Sequence, residues 1–370
     1  MSDYTGRLKR LQGELRAADA NGIVLAGTDQ MRYLAGWREG GHERFVGLLV
    51  PADGEPTFVV PAMNAAQARD TPAAIAAVEG WDDATGWTEV AQTIIDSWGG
   101  GGTLFIDDEM WSVHLLALQG LFPDLRFVAA GRVMASLREI KTSDEIAAMQ
   151  RAAAMIDEVY EDVTAQLCSG VTEREVADLV LGAIKVRGST PSFAPLICFG
   201  ANAAMPHHHT GDRPLRAGDV VIIDIGCVSD GYASDITRTA AFGEPSDPDT
   251  RPVYEIVHRA HTAARAAAVP GVTGEEVDRA ARGVIADAGY GANFLHRTGH
   301  GIGLSVHEPP NIVAGNTQPI RPGMCFSIEP GVYLPGQFGV RIENIVTVHA
   351  TGVRSLNAEP HPEIHIIPAH

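Results

Sequence analysis

Apolar residues spaced three and four apart predict an amphipathic helix from Leu8 to Ala20, and the run from Gly22 to Ala26 behind it predicts a strand. FVGLLV and TFVV, on either side of Ala52-Asp53-Gly54-Glu55, predict a hairpin. The pattern then alternates: a helix from about Thr88 to Trp98, a spacer from Gly99 to Gly102, TLFID as a strand, a helix near Met110 to Gln119, and FVAA as a strand. Such alternation implies an α/β domain with a mixed sheet over residues 1–131. A linker is expected over 132–141. Thr142-Ser143-Asp144-Glu145 then reads as a capping box opening a long helix that ends near Cys168-Ser169-Gly170, the start of a second domain over 142–370.

Inside that second domain a pattern returns. Gly170-Val171-Thr172-Glu173-Arg174-Glu175-Val176 reappears as Gly271-Val272-Thr273-Gly274-Glu275-Glu276-Val277, 101 residues on, each copy following a helical stretch and opening another capped helix. The echo implies two related halves. It is short, and a capping box is a common way to start a helix.

Between the echoes, the apolar run Val220 to Ile225 leads to Asp230-Gly231, a two-residue turn signal, and a second strand follows. In that register Ser229 pairs with Tyr232 and Asp224 lies opposite Thr237. Alternation then puts Asp224 and Asp235 on one face as diagonal neighbours, within reach of a shared ion. Further on, Glu329 ends a strand in MCFSIEPG, and Glu343 is read mid-strand in VRIENIVTV with Arg341 on the same face. His300 lies in a glycine-rich stretch, and Gly299, Gly301 and Gly303 argue against a helix that would pair it with His296.

Four carboxylates crowded into an apolar sheet repel one another unless cations neutralise them. Two divalent ions balance the four charges. Oxygen ligands with one imidazole favour Mn, Co, Fe or Zn over a thiolate-type site, and the four cysteines form no CxxC pair. Each residue also has a plainer reading. Glu329 can simply end a strand at an exposed turn, His307 can be a satisfied core histidine, and Arg341 can be a surface cation.

DIGCVSDGYASDITRT, HRTGHGIGLSVHE, SIEPGVY and VRIEN resemble the metallopeptidases of the prolidase and aminopeptidase P group, over roughly the whole chain. The resemblance implies a creatinase-like N-terminal α/β domain and an α+β catalytic domain of the pita-bread fold, internally duplicated about a pseudo-two-fold axis. By it Asp224 is the bidentate ligand of one metal, His300 and Glu329 bind the other, and Asp235 and Glu343 bridge. His207, His296 and His307 become the histidines around the substrate, Glu329 a proton shuttle, and Arg341 the arginine beside the bridging glutamate. His207 is chosen over His208 and His209 by its spacing from Asn202; the other two read as solvated loop residues.

The implied activity is hydrolysis of the Xaa-Pro bond in a short proline-containing peptide by a hydroxide bridging two divalent metal ions, manganese first and cobalt, zinc or iron after it. Alternatives are cleavage of longer Xaa-Pro peptides, hydrolysis of a non-peptide amide, or an inactive binding module. Family likeness further implies a homodimer and an N-terminal domain that limits substrate length. Trp37 and Arg38 are candidates for that gate, although Trp37 reads equally well as a buried anchor of its loop.

Charge and composition narrow the surroundings. With 28 basic residues against 46 acidic ones the net charge is −18, which opposes non-specific binding to nucleic acid or an anionic membrane. No stretch approaches the roughly 20 apolar residues of a membrane span, and the N-terminus lacks an apolar signal core. Few, scattered cysteines suit a reducing cytoplasm.

Overall fold

The computed structural model describes residues 3–99 and 101–369. The chain divides between Arg138 and Glu139 into two compact units.

The first unit is built on a six-stranded sheet of β1 (Ala20–Leu25), β2 (Gly47–Pro51), β3 (Thr57–Pro61), β4 (Ala77–Trp81), β5 (Gly102–Ile106) and β6 (Leu125–Ala129), in the order β4-β3-β2-β1-β5-β6. β1, β2 and β3 pair antiparallel, whereas β4, β5 and β6 join in parallel, so the sheet is mixed as expected. Its core sets Val24, Leu49, Val59 and Leu104 against Trp87, Ile95 and Leu118. Residues 131–138, read as part of a linker or its edge, instead form the helix Gly131–Arg138, which buries Met134 and Leu137 in this unit. Gly131 sits at the helix start, where its N–H donates to Asp108 Oδ1 at 2.9 Å. Trp37 is a buried anchor: it is 2 % exposed, packs on Phe58 with ring centroids 5.6 Å apart, and donates its indole N–H to the Glu39 carbonyl.

The second unit carries two main sheets. One orders β7 (Leu196–Phe199), β8 (Val220–Ile225), β11 (Ile236–Phe242) and β19 (His365–Ile367) as β19-β11-β8-β7, with the small ribbon β9 (Val228–Ser229) and β10 (Tyr232–Ala233) at the hairpin end. The other orders β12 (Gly299–Gly301), β13 (Glu308–Ile312), β14 (Cys325–Ile328), β17 (Asn344–His349) and β18 (Gly352–Ser355) as β13-β12-β14-β17-β18, beside the ribbon β15 (Gly331–Leu334) and β16 (Phe338–Arg341). Helices Ser143–Thr164 and Glu173–Val186 cover the first sheet, with Ile156, Val180 and Ile184 packed on Val221 and Ile223. Thr250–Ala267 and Gly274–Asp287 cover the second, with Val257, Val277 and Ile285 packed on Phe326 and Val346.

The echo in sequence is an echo in space. Thr172 and Thr273 each close a capping box with the glutamate three residues on. Leu215 N–H donates to the Val171 carbonyl at 2.8 Å, and Ile320 N–H donates to the Val272 carbonyl at 2.8 Å. Thr172 bridges Pro214 and Thr273 bridges Pro319. Each half is therefore one helix pair on one sheet, tied to its returning loop by the same backbone bonds. No helix of the described residues is long and apolar enough to cross a membrane.

Candidate metal centre

The hairpin register is the one that alternation predicts. Ser229 faces Tyr232 and Asp224 faces Thr237, so Asp235, just ahead of β11, sits diagonally across from Asp224. The ladder breaks between β8 and β9, where Ser234 Oγ accepts the Cys227 N–H at 3.0 Å, yet the pairing resumes without a shift.

From the second half come the other three. His300 lies in β12, between Gly299 and Gly301, where a Cβ would meet the Ser327 carbonyl at 1.9 Å and the Pro309 carbonyl at 2.3 Å. Only glycine lets the neighbouring strands close on the histidine. Glu329 follows the last residue of β14, and its N–H donates to the Thr298 carbonyl at 2.8 Å. Glu343 is not mid-strand. It lies in the break Ile342-Glu343 between β16 and β17, where the chain leaves its pairing with β15 and joins β14. That break sends its N–H to the Thr237 carbonyl at 3.1 Å, and its Oε2 accepts the Thr237 hydroxyl at 2.7 Å.

Asp235, His300 and Glu343 are 5 %, 3 % and 2 % exposed, and one ligand atom from each lies within 4.8 Å of the others. His300 Nε2 is 3.3 Å from Glu329 Oε1 and 3.9 Å from Asp235 Oδ2. His300 Nδ1 meets the Gly301 carbonyl at 3.1 Å; a carbonyl can only accept, so Nδ1 carries the proton and Nε2 the lone pair. Burial, with the nearby His307, lowers the His300 imidazole to about 3, so it is neutral at ordinary pH. A bare nitrogen facing carboxylate oxygens is an arrangement that could hold a metal ion.

Three further oxygens say the same. Asp224 Oδ1, Asp235 Oδ1 and Glu343 Oε1 are buried with no hydrogen-bond partner among the described residues. Buried polar atoms almost always have partners. Burial drives the carboxyls of Asp235 and Glu343 well above their usual range and Glu329 up to about 7; neighbouring acids, Glu343 for Asp235 and Glu329 for Glu343, push the same way. Divalent cations would reverse that, and this donor set fits them.

Arg341 does not lean on Glu343. Its Nη2 binds Asp224 Oδ2 at 2.5 Å, its Nε donates to Thr237 Oγ1 at 3.0 Å, and its Nη1 donates to the Tyr333 hydroxyl at 2.9 Å. Tyr333 in turn meets His296 Nε2 at 2.8 Å, while His296 Nδ1 contacts the Arg297 carbonyl at 2.7 Å. Both ring nitrogens of His296 are therefore engaged, and it supports the site without a free donor. His207 and His307 line the cavity as exposed side chains, and the His307 ring stands edge-on to His300 with centroids 4.2 Å apart. The cavity measures about 650 Å³, and the apolar side chains of Phe193, Leu196 and Val306 line it together with the charged residues.

Sequence reasoning missed Thr237, which ties the two halves together through Glu343 and Arg341, and Tyr333, which joins Arg341 to His296, although both stand inside those motifs. It also misread His208, which is not solvated: its Nε2 pairs with the buried Glu173 at 2.9 Å. Comparison with known proteins decides the family. Residues 147–350 match the model of metallopeptidase family M24, and residues 7–140 match the Creatinase/Prolidase N-terminal domain.

The chain belongs to metallopeptidase family M24. It is 40 % identical to a probable dipeptidase PepE of Mycobacterium tuberculosis over 99 % of this chain and 97 % of that one. To an Xaa-Pro dipeptidase of Lactobacillus helveticus it is 36 % identical, over 94 % and 95 %. A crystal structure of a prolidase from Thermococcus sibiricus superposes with a TM-score of 0.93 at 35 % identity, over the whole of both chains. The second unit is thus the pita-bread catalytic domain, the first is the creatinase-type N-terminal domain, and the protein is a peptidase of a family that uses divalent metal ions.

Proposed function

We propose that this peptidase is an Xaa-Pro dipeptidase, hydrolysing the bond before proline in a short peptide. The observation that carries the reading is the set of unpartnered carboxylate oxygens from Asp224, Asp235 and Glu343, lining with the bare nitrogen of His300 a cavity that also has apolar side chains in its lining. Relatives named Xaa-Pro dipeptidase and prolidase supply the substrate class.

Asp224, Asp235, His300, Glu329 and Glu343 would hold two divalent ions, with manganese the first candidate and cobalt, zinc and iron behind it. When bound, such ions supply a hydroxide-level nucleophile near neutral pH and polarise a carbonyl. The rest is done by the chain. His207 and His307 donate hydrogen bonds to the scissile carbonyl oxygen as negative charge grows on it. Phe193, Leu196 and Val306 hold the apolar body of the substrate away from water. A prolyl nitrogen leaves as a secondary amine and must gain a proton to do so; a Glu329 carboxyl oxygen carries it there. Arg341 fixes Asp224 through Nη2 and so sets the floor on which the substrate rests. A homodimer in the cytoplasm, with the N-terminal domain limiting substrate length, belongs to the same proposal.

The test is a matched set: Ala-Pro, Ala-Pro-Ala, Ala-Ala and a longer Xaa-Pro peptide, given to metal-loaded protein. Cleavage of Ala-Pro alone is expected. Efficient cleavage of the longer peptides moves the activity to an Xaa-Pro aminopeptidase, and no cleavage of any sends the search to non-peptide amides.

A further inference from the structure

The two halves share their backbone ties, but the first residue of the tied helix carries a carboxylate in one half and no side chain in the other. Glu173 N–H donates to the Arg213 carbonyl at 3.2 Å, and Arg174 N–H to the Gly211 carbonyl at 2.9 Å. In the second half Gly274 N–H donates to the Gln318 carbonyl at 3.3 Å, and Glu275 N–H to the Asn316 carbonyl at 2.9 Å. Glu173 and Gly274 thus hold equivalent positions, each first in its helix. A Cβ on Gly274 would meet the Asn311 carbonyl at 2.6 Å and Asn316 Nδ2 at 2.7 Å, so that half has no room for a side chain. The shared scaffold needs no carboxylate at this point.

Glu173 has one all the same, and it is wholly buried. Its Oε1 accepts the Phe199 N–H at 2.9 Å and Asn202 Nδ2 at 2.8 Å. Its Oε2 accepts the Gly211 N–H at 3.1 Å and meets His208 Nε2 at 2.9 Å. These contacts grip both ends of segment 199–211 and the residue next to His207. A buried carboxylate is costly unless its hydrogen bonds are made, and here both oxygens are engaged, unlike those of the metal centre. His207 itself is exposed and forms no hydrogen bond to another described residue, so the course of its loop sets where its ring stands.

We propose that Glu173 is a positioning residue for catalysis: it holds His207 at the distance from the metal centre at which the imidazole donates to the scissile carbonyl oxygen. The role rests on the peptidase mechanism proposed above. A donor misplaced by about 1 Å can lose a large part of its effect, up to about a hundredfold.

The experiment is a double-mutant cycle on the metal-loaded protein with Ala-Pro, reading kcat, KM, bound metal and thermal midpoint for Glu173→Gln, His207→Ala and the pair. Glutamine keeps the shape but cannot accept from Gly211 and His208 through its amide nitrogen. Glu173→Gln is expected to lower kcat about tenfold or more, with KM and metal content near wild type. In the His207→Ala background it is expected to add little. His208→Ala, which removes a contact from the partly exposed side, should lower kcat in the same direction by less, and it carries the test if Glu173→Gln does not fold. Unchanged kcat in a folded Glu173→Gln or, failing that, in His208→Ala overturns the role; so do losses that multiply with that of His207→Ala, or a fall explained by lost metal. A wild type inert to every Xaa-Pro peptide removes the functional reading instead, and this role with it.

Discussion

The two halves of the catalytic unit repeat one scaffold and solve the same problem differently. Each must hold a loop that brings chemistry to the seam, and each does so with a buried carboxylate on the equivalent helix. In the first half it is Glu173, at the helix start; in the second it is Asp278, four residues beyond the equivalent Gly274 and so one turn along the same face. Asp278 Oδ1 accepts the Thr298 N–H at 3.1 Å and its hydroxyl at 2.8 Å, and both carboxylate oxygens take Arg282 at 3.0 Å. Arg282 passes the hold on, donating to the Phe294 and His296 carbonyls at 3.2 and 2.9 Å. A duplicated fold keeps its backbone ties while the side-chain anchor migrates to suit the loop it must grip.

The largest effect is expected where the halves meet. Glu343→Ala removes the carboxylate that the second half extends to Thr237 of the first, and both activity and bound metal should fall to background; an active variant would break the seam as described. Next comes the second-half anchor. Asp278→Ala strands Thr298 and the partly buried Arg282, and a loss of about 3 kcal/mol is expected in urea unfolding; a variant as stable as wild type would deny Asp278 its part. Each half also lends one exposed histidine. His307→Ala should lower kcat about a hundredfold with metal content near wild type, and lost metal would make His307 a ligand. Smaller again is Gly274→Ala, which pushes a methyl group against Asn311 and should cost about 1–2 kcal/mol, sharpening the claim that only the first half has room for a side chain.

The smallest effect is a pH dependence. His261, on the second-half helix Thr250–Ala267, is 1 % exposed, and burial, then the nearby Arg265 and Arg238 cations and His258, lower its pKa well below the usual value. Folded His261 refuses a proton that the unfolded chain accepts. Its contribution is therefore fully present above the unfolded value of about 6.5 and is lost as pH falls below it. His261→Leu should flatten the fall in thermal midpoint between about pH 6.5 and 5, and an unchanged slope would assign that fall to other groups.

How much of this was legible depends on the range of the physics involved. Asp224 and Asp235 could be placed because strand alternation and a two-residue turn are local rules, and the register kept to them. The duplication was legible because each copy has to restart a capped helix. Glu343 was misplaced by one local inference: an apolar run looks like a continuous strand, and only the competition between β15 and β14 for the chain creates the break. Residues 132–138 were placed in the linker because nothing local in the sequence shows that the helix they form buries Met134 and Leu137 in the first unit. Glu173 and His208 were out of reach. A glutamate at a helix start is ordinarily a solvated partner of the helix dipole, and nothing near it reveals a loop closing over it from 26 to 38 residues away.

The most direct test counts metal and activity together. Protein stripped with a chelator is titrated with manganese or cobalt while bound ions per chain and Ala-Pro hydrolysis are followed. Two ions per chain, with activity rising from background as they bind, is the expected result. Full activity in the stripped protein, or no divalent ion held by a centre whose carboxylates are intact, would contradict it.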